Sequence, residues 1–375
     1  MKPRDVYKGK RKKKVSIARY VFFLLAFLLV AGTVMFYSFQ KYIVYGQDGV
    51  KLQLPILATP TPPESSGTPA YFPPVDAELE IRDPDYSTVE ATAGEGLTAF
   101  NALFVPAERM TDEGIDAYKA LLSSYGANGL VLEVKPASGQ LVYASSSDTA
   151  VSFGLSGSYD LQAKVAQLKA EGVRLGAAVS CCVDNLYASR DASVALHNSY
   201  GGIVSDDDGT WLDPFSSALR GYITSLCQEL ADMGFDEIVL TNLSHPNTAE
   251  PLAYNAQMSY TPTPTIGVSG FARDLAANLS GQGVAVCAVL SEATVHGDAA
   301  AQTGQDAQLF FKVFDRVCGP ADSAFTYNLD RDKYAAYVTL GELAQRYIPF
   351  MNYAPEGAAS WIVDVPGWMF GEEEE

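Results

Sequence analysis

A chain of 375 residues, 48% of them hydrophobic, is long enough for two domains or for one large α/β barrel. Its formal charge of −18 is unevenly spread: nine basic residues and one acid precede residue 41, which leaves −26 for the remainder. So acidic a body repels phosphate, which argues against nucleic acid or anionic lipid as its ligand.

The first stretch, 1–19, is a basic tail, and the 21 residues from Tyr20 to Gln40 carry no charge. That is enough helix to cross a hydrocarbon core of roughly 30 Å. A cleaved signal peptide would have a shorter apolar region and a small-residue cleavage site, and none is evident before Tyr37-Ser38-Phe39. The expectation is an uncleaved single-pass signal anchor, with the lipid bilayer as partner of residues 20–40. Lys and Arg crowd its N-terminal flank, so the N-terminus stays cytoplasmic and the C-terminal domain is extracellular. Lys41 to Leu54 is short and amphipathic, a candidate hairpin or strand near the membrane. Pro55 to Pro74 contains Thr-Pro-Thr-Pro-Pro and Ser-Ser-Gly-Thr-Pro, a semi-rigid spacer that cannot form a core. With the acidic stretch Ala77–Glu95 it makes 41–95 a juxtamembrane segment and linker; 96–368 is the folded body and 369–375 an acidic tail.

The body repeats one unit. Leu122 with Gly126, Leu168 with Gly172, Leu230 with Gly234 and Leu279 with Gly283 share one spacing, and an apolar run follows each glycine. A helix that closes on glycine and feeds a buried strand specifies parallel strands with crossover helices. The pattern predicts strands at 98–105, 129–135, 173–181, 235–242, 284–290, 314–318, 347–353 and 360–365. Helices are clearest at 112–125, 160–171, 215–233 and 268–279, with Asp213 as N-cap and Pro214 in the first turn of the third. Residues 321–340 are hard to assign. Eight strand–helix units predict a (β/α)8 TIM barrel, and an open doubly wound sheet is the alternative. The latter usually carries a Gly-rich phosphate turn after its first strand, and Pro106-Ala107-Glu108-Arg109 is not one. No cofactor motif is evident.

In such a barrel the loops after the strands carry function and the strand starts carry stability. Asp236, Glu237 and Asp315 fall at strand starts and are expected to be structural. Glu133 and Lys135 close strand 2, Asn242 closes strand 4, Glu292 follows strand 5, and Asn352 with Tyr353 closes strand 7. The long loop after strand 3 carries Asp184, Tyr187, His197, Tyr200, Asp206–Asp208 and Trp211. The five cysteines fit no zinc spacing and fall mostly in predicted elements, which predicts buried, reduced thiols.

Val131-Leu132-Glu133-Val134-Lys135, Gly139-Gln140-Leu141-Val142-Tyr143, Asp208-Gly209-Thr210-Trp211-Leu212-Asp213-Pro214, Gly234-Phe235-Asp236-Glu237-Ile238 and Thr303-Gly304-Gln305-Asp306 together resemble the glycoside-hydrolase-like domain family of bacterial (β/α)8 barrels, itself distantly similar to α-amylase barrels. The likeness is best over 97–320. The resemblance implies an aspartate and an arginine near the end of strand 4, where this chain has Thr241 and Ser244, and an acid on strand 5, where it has Val289. It also implies an acid after Lys135, where Pro136 stands. Glycoside hydrolysis needs two carboxyl groups with distinct tasks, and a threonine performs neither.

Three functions compete. A cell-surface glycosidase acting on envelope or environmental polysaccharide would use Glu133 with Glu292 or Asp184 as its catalytic pair. A pseudoenzyme with impaired or no catalysis would bind a cell-wall glycan or an envelope protein through Lys135, Tyr187, Trp211, Asn242 and Tyr353, with exposed Tyr200 as a further stacking candidate. A metal site would draw on His197, His245 and His296, whose spacing matches no known ligand pattern, and Asp206-Asp207-Asp208-Gly209 is only a weak calcium lookalike. The expectation is the second, with no metal.

Overall fold

The computed structural model describes residues 43–46, 49–52, 94, 96–254, 262–297 and 299–370. The chain divides into two compact units, 1–78 and 79–375. In the first, Ile43–Gly46 pairs antiparallel with Gly49–Leu52, within the stretch expected to form a hairpin or a strand. The expected membrane anchor at 20–40 lies outside the described residues. No helix among the described residues is long and apolar enough to cross a membrane.

The second unit is a closed parallel barrel of eight strands: β1 (Asn101–Val105), β2 (Gly129–Lys135), β3 (Arg174–Ser180), β4 (Glu237–Thr241), β5 (Ala285–Val289), β6 (Arg316–Pro320), β7 (Tyr347–Met351) and β8 (Trp361–Asp364). Each strand pairs with its neighbour in sequence, and β8 pairs with β1 with Trp361 opposite Asn101, so the predicted closure holds. The main crossover helices are α1 (Asp112–Tyr125), α2 (Leu161–Ala170), α3 (Ser217–Met233), α4 (Pro264–Leu279), α5 (Ala307–Val313), α6 (Ala324–Tyr334) and α7 (Leu340–Arg346). α1 and α3 end on Gly126 and Gly234 at positive φ, as the repeat requires.

Several boundaries differ from expectation, β1 starting at Asn101 rather than 98 and α4 at Pro264 rather than 268, and two of the differences have a clear cause. Ser216, not Asp213, caps α3, accepting from the Leu219 amide. Asp213 is fully buried one turn earlier and accepts from the Phe215 amide, so it shapes the approach to the helix. β6 runs two residues later than expected because Phe314 is buried among the helices, and the ladder starts only at Arg316.

The core has two layers. Between sheet and helices lies a large apolar shell, and inside the barrel a small cluster takes Phe100, Ala102, Val131, Ala178 and Val239 from one half and Cys287, Cys318, Ile348 and Ile362 from the other. That inner cluster fixes the phase of every strand, since side chains alternate with a period of two. Two residues toward the strand starts, the inward places of β4 and β6 are Glu237 and Arg316, a fully buried ion pair at 3.2 Å. Arg316 also donates to the Thr98 and Gln345 carbonyls, tying both ends of the body into the barrel floor. Asp315 accepts from the Val286 amide and Asp236 from the Leu175 amide, so the strand-start acids are structural as predicted. All five cysteines are free and buried.

Candidate functional site at the barrel mouth

Two residues toward the strand ends, the same alternation builds the barrel's top layer. β2 and β8 contribute Glu133 and Asp364, the ionisable members of this layer; β3 and β4 contribute Ser180 and Thr241. Phe104, Val289, Pro320 and Phe350 complete it, with Phe104 packed edge-on to Phe350 at 5.4 Å. The layer is therefore split. Its two acids flank β1, while Thr241 and Val289 sit on adjacent strands β4 and β5.

Above the β4–β5 side lies a cleft of about 460 Å³, lined by Asp208, Trp211, Thr241, Asn242, Val289 and Glu292, among others. A second cleft of about 310 Å³ is lined by Glu292, His296, Asp322, Phe350, Asn352 and Asp364, among others. Glu292 and Phe350 line both, so the two adjoin. The places where the resemblance expects acids, Thr241 and Val289, thus face the larger cleft.

The predicted site residues separate into two groups. Glu292 starts a short helix, Glu292–Val295, whose N-cap Ser291 accepts from Thr294, and its exposed carboxylate stands between the clefts. Asn242 lines the larger cleft at a φ of 50°, a left-handed conformation that asparagine tolerates, and its Oδ1 accepts from the Ser180 hydroxyl at 3.2 Å. Trp211 lines the same cleft although the residue is only 3% exposed. Tyr353 is exposed, and its hydroxyl accepts from the Ala324 amide at the start of α6. Glu133 accepts from the Ala107 amide at 2.9 Å. Burial, and then the nearby Glu108 and Asp364 carboxylates, hold its pKa above the ordinary value of 4.5. Burial and Glu108 push Asp364 up likewise.

Asp184, Lys135 and Tyr187 lie elsewhere. The ladder between β2 and β3 shifts register between Glu133 and Lys135, a bulge that turns the strand's last residue out of the inward row. The Lys135 ammonium then meets Asp184 Oδ2 at 2.8 Å with neither side chain exposed, beneath the Tyr222 ring of α3. Asp184 Oδ1 caps the short helix Asn185–Arg190 by accepting from the Tyr187 amide. A Cβ on Gly139, at φ 91°, would collide with that carboxylate, so glycine is required there. The Tyr187 ring is packed between Phe153 and Tyr222. Neither cleft is lined by these three residues, so a catalytic Asp184, a sugar-binding Lys135 and a stacking Tyr187 have no surface to act on.

The histidines are not brought together. His245 is buried, hydrogen-bonded to the Tyr254 hydroxyl at 3.1 Å, and burial lowers its pKa to about 4. His296 meets Asp330 at 3.0 Å, and His197 pairs with Ala253 in a short ladder. Among the described residues no group of three or more His, Cys, Asp or Glu is arranged to hold a metal ion. The Asp206–Asp208 turn joins a two-residue hairpin, its Asp206 carboxylate accepting from the Asp208 amide.

Sequence reasoning missed Asp364, Asp322 and Gln305 as mouth residues. Asp364 was legible in principle, two residues after inward Ile362. Gln305 is buried and fully used: Oε1 accepts from the Ser291 amide and the Thr294 hydroxyl, and Nε2 donates to the Leu243 and Val289 carbonyls. It binds the loops after β4 and β5 into one wall.

A family model described as "Putative glycosyl hydrolase domain" matches residues 102–337. Among solved structures, the chain is similar to the PgaB (BpsB) glycoside hydrolase domain from Bordetella bronchiseptica, at 14% identity and a TM-score of 0.52 over 73% of this chain and 96% of that one. A hypothetical protein from Ruminiclostridium thermocellum aligns at 21% identity and a TM-score of 0.44, over 50% of this chain and 96% of that one. The catalytic domain of β-amylase from Paenibacillus polymyxa aligns at 10% identity and a TM-score of 0.47, over 71% and 93%. At 14% identity the likeness to the Bordetella domain is one of fold alone. No curated protein matches the sequence.

Proposed function

The chain belongs to the putative glycosyl hydrolase domain family, and from that membership we propose that its barrel mouth binds a glycan and hydrolyses it poorly or not at all. One observation carries this reading. Thr241 and Val289, where the resemblance implies acids, line the larger cleft, while Glu133 and Asp364 stand on the strands flanking β1. Hydrolysis divides its work between a proton donor and a second carboxylate that attacks the sugar or activates water. Thr241 is neutral throughout the relevant pH range, and Ser244 replaces the arginine that would have accompanied an acid. What remains in the larger cleft can hold hydroxyls: Asn242, Ser291, Trp211 and Asn247.

A hydrolytic reading keeps one observation in its favour, because Asp208 and Glu292 line the same cleft. Incubation of the purified chain with cell-wall glycans and model glycosides separates the two. The expected outcome is binding without turnover, with Glu292→Gln altering binding alone. Robust turnover abolished by Glu292→Gln or Glu133→Gln restores the enzyme.

The barrel is held at the cell surface by residues 20–40, with the basic tail inside and a cell-wall glycan or envelope protein as its partner. The uncharged run of 21 residues behind a basic flank supports this arrangement. Protease added to intact cells should release a fragment beginning between about residues 55 and 95, within the Pro-rich linker. Protection until lysis would reverse the orientation.

A further inference from the structure

The charge of the mouth narrows the ligand. Asp208, Glu292, Asp322 and Asp364 line the two clefts, and all four are exposed to a ligand. Neither lining includes a lysine or an arginine. Of the two histidines there, His245 is neutral at neutral pH and His296 is already tied to Asp330. Cations near the mouth are spent elsewhere, Lys135 on Asp184 and Lys333 on Asp330. Asp208 also carries its hairpin neighbours Asp206 and Asp207, which, after partial burial, raise its pKa.

An acidic surface alone can simply be hydrated. Trp211 adds an independent demand: the residue is 3% exposed, it lines the larger cleft, and its Nε1–H has no hydrogen-bond partner among the described residues. A buried donor left unpaired is costly, so this one points to an acceptor oxygen brought from outside. A point-like cation does not answer both demands, since among the described residues no carboxylate group is arranged to chelate a metal. The carboxylates are instead spread along adjoining clefts, a layout that suits positive charges repeated along a chain.

Resting on the glycan reading above, we infer that the mouth selects a glycan bearing free, protonated amino groups over neutral or acidic ones. Ammonium groups pair with Asp208, Glu292, Asp322 and Asp364, and a sugar hydroxyl or ring oxygen accepts from Trp211. Ion pairs at a half-open cleft are individually modest, so the preference comes from several acting together and weakens with salt.

The test is calorimetric titration of the full chain in detergent micelles with glucosamine oligomers and their N-acetylated counterparts, in several linkages. The amine form should bind about tenfold tighter at low salt, the margin closing as ionic strength rises. Asp322→Asn combined with Asp364→Asn should remove most of that preference, weakening the amine form far more than the acetylated one. Trp211→Phe should weaken both forms alike and keep their ratio. Equal affinity for the two forms in every linkage overturns charge selection and leaves the glycan reading standing. Failure to bind either form, while a wider glycan array is also unbound, overturns both. Oligolysine bound more tightly than any glucosamine oligomer overturns the inference in favour of a basic peptide.

Discussion

Asp184 and Lys135 oppose each other at 2.8 Å with no exposure to solvent. Each ion has given up its hydration, so removal of one leaves the other buried and bare. Asp184→Ala should cost roughly 3–5 kcal/mol of stability. Lys135→Met should cost a similar amount, and the double variant less than their sum, as urea titrations of the three would show. His245 behaves differently because it is buried neutral. Its folded pKa of about 4 lies below the ordinary 6.5, so the unfolded chain takes up the proton first. Its contribution is fully present above pH 6.5 and is lost as pH falls toward 4, a total of roughly 3 kcal/mol. His245→Gln should flatten that limb of a stability–pH curve. Glu133 and Asp364 act oppositely, since a raised carboxylate pKa means that ionisation opposes folding as pH rises. Which carboxylates are buried structural ions was hard to read from sequence. Glu133 and Lys135 sit two apart and should share a face, but the bulge between them sends one to the mouth and the other into the shell.

The loops after β4 and β5 form one wall because Gln305 makes four hydrogen bonds across them. Gln305→Ala would leave buried carbonyls at Leu243 and Val289 unanswered, at a cost of roughly 2–3 kcal/mol. Since the wall carries Asn242 and Glu292, the same variant should weaken glycan binding more than Glu292→Gln does. A melting curve beside the titration distinguishes loosened loops from a lost contact. Elements were legible where burial followed one period. Leucine–glycine spacing located the ends of α1 and α3, and β2 was bounded as observed. α6 was obscured because its pattern is inverted: Phe325 and Leu329 are exposed while Asp330 is buried to meet His296 and Lys333. A tertiary ion cluster overrode the stripe that a sequence scan looks for.

The barrel is closed by β8, four residues long and paired with β7 on one side and β1 on the other. A chain ending at residue 358 loses both ladders and opens an edge on each neighbour. It should unfold without a cooperative transition and bind a dye for exposed apolar surface, as calorimetry and fluorescence would detect. Eight strand–helix units made this closure legible in the sequence. The composition of the mouth was not, because its layer is read by stepping two residues from an inward position on each strand. Which residues point inward depends on register, and sequence alone gives no absolute phase to strands buried on both faces.

The seam also sets an order of events. Phe100 donates to the Ser360 hydroxyl and accepts from the Trp361 amide across 260 residues of chain. As the polypeptide emerges from the ribosome, β1 has half its ladder early, through β2, and must wait for almost the whole body before the other half exists. Contacts of such sequence separation form late, since the entropy of closing the long loop precedes any reward. The nascent barrel therefore spends its synthesis as an open sheet with a waiting edge at β1. Along that edge lies Phe100, whose backbone N–H and C=O wait for Ser360 and Trp361 while its ring packs against Gly129 and Gly176 of the early strands. Pulse-labelled hydrogen exchange during refolding should find the β1–β8 amides among the last protected.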